Sequence, residues 1–272
     1  MTAPGRPPEP TAALGEWHGG AVTPRATCVL APNPSPMTLD GTNTWLLAEP
    51  EDDAVAVVDP GPLDEAHLRA VLAAATAAGR RVTHTLLTHG HPDHAEGAGR
   101  FAELAGTRVL AIGDGREDLH EGDHLRVGAL EVVVLATPGH TADSISFVLP
   151  ADAAVLTGDT LLGRGTTVVA HPDGVLGDYL TSLERLHRLT GSGEVTRILP
   201  GHGPTVTAAE QAVAYYLHHR RERLDQVRAA LAAGDTTADE VVERVYAEVP
   251  RELWPAARLS VLAQLHHLAA GT

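Results

Sequence analysis

One pattern recurs along this chain and constrains its fold more than any other. A short apolar run ends, a glycine stands close by, and a metal-capable side chain follows at once. "LLTHGHPDH" (residues 86–94) is the densest instance, and "LATPGHT", "VLTGDT" and "ILPGHG" repeat the theme downstream. Runs this short, bounded by Gly, Pro and Asp, read as strands. Glycine lets backbone approach closely at a strand end. The chain must therefore bring several strand ends to one edge, where their loops converge. A turn needs Gly, Pro and Asp, but it does not need His89, His91 and His94 as well.

Between these runs lie helical patterns, and such interleaving indicates an α/β architecture. "TWLLAE" and "AVAVVDPG" are early strands. "EAHLRAVLAAATAAG" has Leu68, Val71, Leu72 and Thr76 at helical spacing. "RVTHTLLT", "RVLAI", "HLRVG" and "LEVVVLAT" are further strands, and "ISFVLP" with "AAVLTGD" forms a hairpin. "LGDYLTSLERLHRLT" is amphipathic, with Tyr179, Leu180, Leu183 and Leu186 on one side, and "VTRILPGHG" closes the series. The character changes near residue 207. The tail holds one long helix (208–234), a second with Thr237 as N-cap, and a third with Leu259, Leu262 and Leu265 expected to face inward. The expected organisation is a loose Pro-rich arm over 1–20, a catalytic domain over 21–206 and a helical module over 207–272.

Charge limits the partners. The chain carries 35 acidic against 20 basic residues, a formal charge of −15, and every fixed positive side chain is Arg because there is no lysine. A broad basic surface for nucleic acid is not expected, although a local Arg patch such as "HHRRER" leaves that reading open. That run is read first as a solvated helix face. Cys28 is the single cysteine, which excludes an intrachain disulfide and any multi-thiolate zinc site. No apolar run reaches the ~20 residues of a membrane span. The opening has no apolar leader core, so a cytoplasmic protein is expected. Oligomeric state has no signature in the sequence.

The residues themselves suggest metal chemistry. Imidazoles and a carboxylate suit a borderline divalent ion such as zinc, with iron or manganese as alternatives. His-x-His on extended backbone projects two rings to one side, and Asp93 with His94 turns away, so two adjacent metals explain the crowding better than one. His140, Asp159 and His202 supply further ligand types at other strand ends. Asp59 in "VVDPG" ends a strand, either as a plain turn residue or, as the family resemblance given next implies, as a hydrogen-bond partner of a ligand histidine. Thr166 and Thr167 follow Asp159 closely enough to line a pocket, and Asn43 reads as a turn residue.

"THGHPDH", "PGHT", "GDT" and "GHG", in that order over roughly 38–206, resemble the motifs of the metallo-β-lactamase superfamily. The resemblance implies an αββα sandwich with its site at one edge of the paired sheets. It also implies one metal on His89, His91 and His140, a second on Asp93, His94 and His202, and Asp159 bridging both. Two zinc ions about 3.5–4 Å apart would then share a bridging hydroxide that attacks the substrate, with Asp93 orienting it as the catalytic residue. Asp159 stands where the first class of true metallo-β-lactamases has cysteine, and His91 stands where the flavodiiron branch has glutamate, which disfavours both activities.

A closer resemblance is to the β-lactamase-like protein 2 family. It rests on "NPSPMTLDGTNTWLL", "LTGDTLLGRGTTVV", "PGHGP" and the tail "VYAEVPRELWPAARLSVLAQLHHL", which looks like that family's winged-helix-like module without its wing hairpin. The resemblance implies a hydrolase without choosing its substrate, and the net charge of −15 favours small-molecule or carrier-bound acyl esters and thioesters. A single-strand endoribonuclease is the alternative, and a mononuclear iron dioxygenase of the persulfide dioxygenase type is a third possibility.

Overall fold

The computed structural model describes residues 16–113 and 118–271. Two sheets face each other. The first runs β1 (Gly20–Ala21), β2 (Ala26–Leu30), β3 (Asn43–Leu47), β4 (Ala54–Val58), β5 (Arg81–Leu86) and β6 (Val109–Leu110), in that order. Its first four strands pair antiparallel, and β4, β5 and β6 pair parallel. The second sheet is built from β7 (His124–Val127), β8 (Leu130–Ala136), β9 (Ile145–Leu149), β10 (Ala154–Gly158) and β11 (Arg197–Pro200), in the order β11-β10-β9-β8-β7. Only its β10–β11 pair is parallel.

Strand periodicity explains the layers. Successive side chains point to opposite faces. On β4, Ala54, Ala56 and Val58 enter the core between the sheets with Trp45, Leu47, Val132, Phe147 and Leu156. Val55 and Val57 point the other way, onto α1 (Glu65–Ala75) and α3 (Ala98–Ala105) through Leu68, Val71 and Phe101. The second sheet presents Val155 and Ile198 to α4 (Leu176–Gly191) and the first half of α5 (Ala209–Ala232). The result is the αββα sandwich. In α1 the inward stripe ends on Ala75; Thr76 is exposed and caps the helix, its hydroxyl bonding back to the Leu72 carbonyl at 2.8 Å.

The tail completes the molecule with α6 (Ala238–Val245) and α7 (Trp254–Ala270). Thr237 and Glu240 form a capping box at the start of α6. On α7 the buried side is Ala257, Ser260, Val261, Ala263 and Gln264, while Leu259 is 38% exposed. Leu259 therefore does not face inward; Leu262 and Leu265 are only partly covered. Helix α5 begins after the boundary read near 206, yet it packs on both sides of it. Its Val213, Tyr216 and Leu217 belong to the sandwich layer, and its Val227 and Ala230 belong to the cluster with α6 and α7. Of the arm read over 1–20, residues 1–15 lie outside the described residues. Trp17 packs on the inter-sheet core and donates to Asn43 Oδ1 at 2.7 Å, so the segment after residue 15 is held.

Candidate metal centre

The site grows from strand ends. Asp59 follows β4; the segment from Thr88 to His94 follows β5 and enters the short helix α2 (Pro92–Ala95). His140 lies between β8 and β9, Asp159 directly after β10 and His202 just after β11. These ends share one edge because both sheets place them there. A staple from β3 closes the edge: Asn43 donates its amide to the Pro200 and Gly203 carbonyls, at 2.9 Å each, and Trp45 Nε1 reaches Pro200 at 3.1 Å. Asn43 is fully buried at the start of β3, so it is a strut across the two sheets and not the turn residue expected.

The seven expected ligand residues converge. His91 Nδ1 lies 3.0 Å from both His89 Nε2 and His140 Nε2. His94 Nε2 lies 3.2 Å from His202 Nε2 and 3.4 Å from Asp93 Oδ2. Asp159 sits between the groups, with Oδ2 at 3.2 Å from His202 Nε2 and 3.8 Å from His140 Nε2, and Oδ1 at 3.5 Å from His94 Nε2. Three sets of donor atoms could each hold an ion: His89 with His91 and His140, Asp93 with His94 and His202, and His89 with His94 and Asp159.

The donor set fits a metal on physical grounds. Asp159 Oδ1 is buried with no hydrogen-bond partner, a costly state for a carboxylate oxygen that a cation would relieve. Three imidazole nitrogens crowd one point, as ligands do around an ion whose nitrogen bonds run about 2.0–2.1 Å. Groups outside the cluster hold the rings. His94 Nδ1 donates to Asp59 Oδ2 at 2.9 Å, His140 Nδ1 to the Val168 carbonyl at 2.8 Å and His202 Nδ1 to the Gly41 carbonyl at 3.2 Å. Each bond leaves the ring's Nε2 aimed inward. Asp59 also accepts the Thr88 backbone N–H and hydroxyl, both at 2.7 Å. Its φ of +51° is a left-handed conformation that aspartate tolerates better than most residues.

Charge is divided unequally in the metal-free chain. Burial holds His89 well below its ordinary value, and burial lowers His140 too, so both are neutral, ligand-ready rings. Burial also opposes the cations of His94 and His202, but the neighbouring carboxylates outweigh it. Asp159 and Asp59 raise His94 well above its usual range, and Asp159 with Asp93 pushes His202 up to about 9. Burial would raise Asp93, yet the hydrogen bond from His202 and the nearby His94 charge hold it at about 2. The second cluster thus stores positive charge that an incoming cation must displace.

Sequence reasoning missed several contributors. Gly201 is one: a Cβ there would lie 2.4 Å from Asp159 Oδ1 and 2.8 Å from His94 Cε1, so only glycine fits. The doublet "PGHG" carried that signal. Thr88 was overlooked as the partner of Asp59. Arg220 was misread. It is buried on α5, donates to the Thr167 carbonyl and lies over the Tyr179 ring at 5.0 Å, so the "HHRRER" run is not a wholly solvated face. Thr166 and Thr167 both line a cleft of about 380 Å³ that starts at His140 and Asp159 and ends against Tyr246, Leu253 and Ala257 of the tail. Thr167 Oγ1 also sits 3.3 Å from His140 Nδ1.

The model of the metallo-beta-lactamase superfamily matches residues 37–116 and 108–202. This chain belongs to that superfamily. The model of the beta-lactamase associated winged helix domain matches residues 237–271, which are α6, α7 and their connection; among the described residues they contain no strand. A beta-lactamase-like protein 2 homolog of Caenorhabditis elegans is 33% identical over 249 residues, covering 87% of this chain and 80% of the relative. An atrochrysone carboxyl ACP thioesterase of Aspergillus fumigatus is 31% identical over 252 residues, covering 85% and 76%. The crystal structure of a metallo-beta-lactamase family protein from Thermus thermophilus superposes with TM-score 0.76 at 25% identity, covering 92% of this chain and 95% of that one. The superfamily hydrolase is therefore an enzyme with thioesterase-like homologues and a His/Asp site able to hold metal.

Proposed function

We infer that this chain is a dinuclear, zinc-loaded hydrolase of acyl esters or thioesters, free or carrier-bound. The observation that carries the reading is the pairing of two ligand clusters around Asp159 with a cleft running from them to the tail helices. His89, His91 and His140 would hold one ion, Asp93, His94 and His202 the other, and Asp159 both. When bound, such ions polarise a carbonyl oxygen and bring the pKa of water to about 7.

The chain's own groups do the rest. Asp59, Val168 and Gly41 fix His94, His140 and His202 through Nδ1, so that these three rings need not reorient during turnover. Thr42 Oγ1 donates to Asp93 Oδ2 at 3.3 Å and steadies the most exposed carboxylate of the centre. Asp93 would orient the attacking water as well as hold the ion. No serine or cysteine nucleophile is needed, and Cys28 is buried in the inter-sheet core. Leu162 and Val168 of the sandwich and Val249 and Leu253 of the tail give the cleft apolar walls suited to a hydrocarbon acyl part.

The test is a panel of acyl thioesters, nitrophenyl esters and single-stranded RNA on metal-loaded protein, with elemental analysis of the same sample. About two zinc ions per chain and thioester or ester turnover above RNA cleavage are expected. A single iron retained in zinc-rich medium would replace the hydrolase with an oxygenase. Efficient RNA cleavage would replace the acyl substrate with a phosphodiester.

A further inference from the structure

The cleft holds a charge that its surroundings do not balance. Arg220 is 4% exposed and lines the cleft beside Thr166 and Thr167. Its Nη2 is committed to the Thr167 carbonyl and its face to the Tyr179 ring, while its Nε is buried without a hydrogen-bond partner. Among the described residues no carboxylate forms an ion pair with it. Arg223, one turn on, also lines the cleft; it lies over the Tyr246 ring at 4.7 Å and bonds Gln226 and the Val245 carbonyl, again without an acidic partner. In a chain of charge −15, two adjoining arginines without carboxylates are out of keeping with the bulk charge. A buried cation is costly unless paired. The stacking on Tyr179 offsets part of that cost but leaves the net charge in place.

We propose that Arg220 anchors an anionic oxygen on the acyl part of the substrate, so that the cleft selects acyl esters or thioesters bearing a carboxylate over uncharged counterparts. This rests on the hydrolase reading above and narrows it. Arg220 binds the carbonyl of Thr167, whose hydroxyl lies 3.3 Å from His140 Nδ1, so the anchor and the metal cluster are one residue apart along the chain's contacts. A substrate held at Arg220 is thereby registered against the reacting carbonyl. The apolar walls accept the hydrocarbon between the two groups, whereas the amide-rich linker of a carrier would find few partners there and must lead outward. A guanidinium has five N–H donors, so giving one to Thr167 leaves others for a charge-assisted bond to a carboxylate oxygen.

The experiment uses metal-loaded full-length protein and non-hydrolysable probes. These are N-butyl monoamides of glutaric, adipic and pimelic acids, each paired with the straight-chain amide lacking the distal carboxylate. Calorimetry should give the acidic member of at least one pair an affinity about tenfold higher, the scale of one charge-assisted hydrogen bond. Arg220→Gln should abolish that preference. Equal affinity within every pair, no binding of any acidic probe, or a preference that survives Arg220→Gln would each overturn the proposal. If Arg220→Gln does not fold, Arg220→Lys decides: the preference must fall, and an unchanged one sinks the anchor. The matching N-acetylcysteamine thioesters test the hydrolase reading separately. Amide preference without turnover of either thioester would remove the hydrolase and keep the anchor. Turnover of both thioesters at equal kcat/KM would remove the anchor alone.

Discussion

Replacing Asp59 by Asn tests whether the centre depends on a residue that touches no metal. Three donors converge on this buried carboxylate: Thr88 N–H on Oδ1, and Thr88 O–H and His94 Nδ1–H on Oδ2. An asparagine keeps the shape and tolerates the left-handed backbone, so strain is not changed. If its oxygen stays on the Thr88 N–H, its NH₂ faces the His94 Nδ1–H, donor against donor. The Thr88 hydroxyl can rotate to accept, but the ring cannot. The neutral His94 ring, the form that could bind a metal, escapes only by carrying its one proton on Nε2, the nitrogen that faces His202 and Asp93. That tautomer cannot ligate. Loss of such a partner costs about 10–100-fold in metal affinity, or about 1.4–2.8 kcal/mol. Competition for zinc against a chromophoric chelator should show the loss in one of two sites, with far-ultraviolet circular dichroism unchanged. Two zinc sites of wild-type affinity in D59N would refute the argument that Asp59 sets the His94 tautomer.

Gly201→Ala puts a methyl carbon against Asp159 Oδ1 and His94 Cε1; displacing both should cut turnover about 100-fold, measured on the best thioester of the panel, and wild-type turnover would deny the close approach. Asn43→Ala leaves the Gly203 carbonyl and the Trp17 indole N–H without partners, so urea unfolding should show a loss of about 1–3 kcal/mol at an unchanged slope; a change inside ~0.5 kcal/mol would show that the staple is dispensable. Chelation of the metals should lower the melting temperature reversibly, because a ligand that binds only the folded chain stabilises it by about 2.7 kcal/mol at a hundredfold excess over Kd, and a melting curve indifferent to chelator and to added zinc would argue against resident metal.

The parts of the fold that were legible share a cause. Apolar runs such as "AVAVVDPG" and "AAVLTGD" are buried on both faces, so their composition alone marks them as strands, and "THGHPDH" carries ligand chemistry that no turn requires. Strand β2, "ATCVL", escaped notice because it is short and mixes buried with half-buried positions. Helix α3 escaped because Gly99 and Gly106 break up an otherwise helical "AGRFAELAG". Leu259 was misplaced for a different reason. Helix α7 is apolar around much of its circumference, so hydropathy could not choose a side; packing chose the small residues Ala257, Ser260 and Val261. Asn43 was misread because an asparagine two residues after a glycine is a turn signal, and only the tertiary fold sets the Pro200 and Gly203 carbonyls within its reach.

Arg220 makes the same point about function. Within α5 its neighbours are His218, His219, Arg221 and Glu222, a composition that reads as solvent-facing. The helix, however, is shared between two cores, with Tyr216 and Leu217 on the sandwich and Val227 and Ala230 on the tail. A residue midway along such a helix, on the side of Tyr216, is carried into the seam between them. That seam opens onto His140 and Asp159. Deleting the tail would therefore do more than shorten the protein. It would remove Tyr246, Leu253 and Ala257 from the cleft and expose the Val227–Ala230 face of α5, which Tyr246 and Ala257 help cover. The seven candidate ligand residues would stay, since every one of them lies before residue 203, while the far wall of the cleft would go. The candidate ligand residues and the tail wall of the cleft thus come from separate stretches of chain, and α5 is the element that joins them.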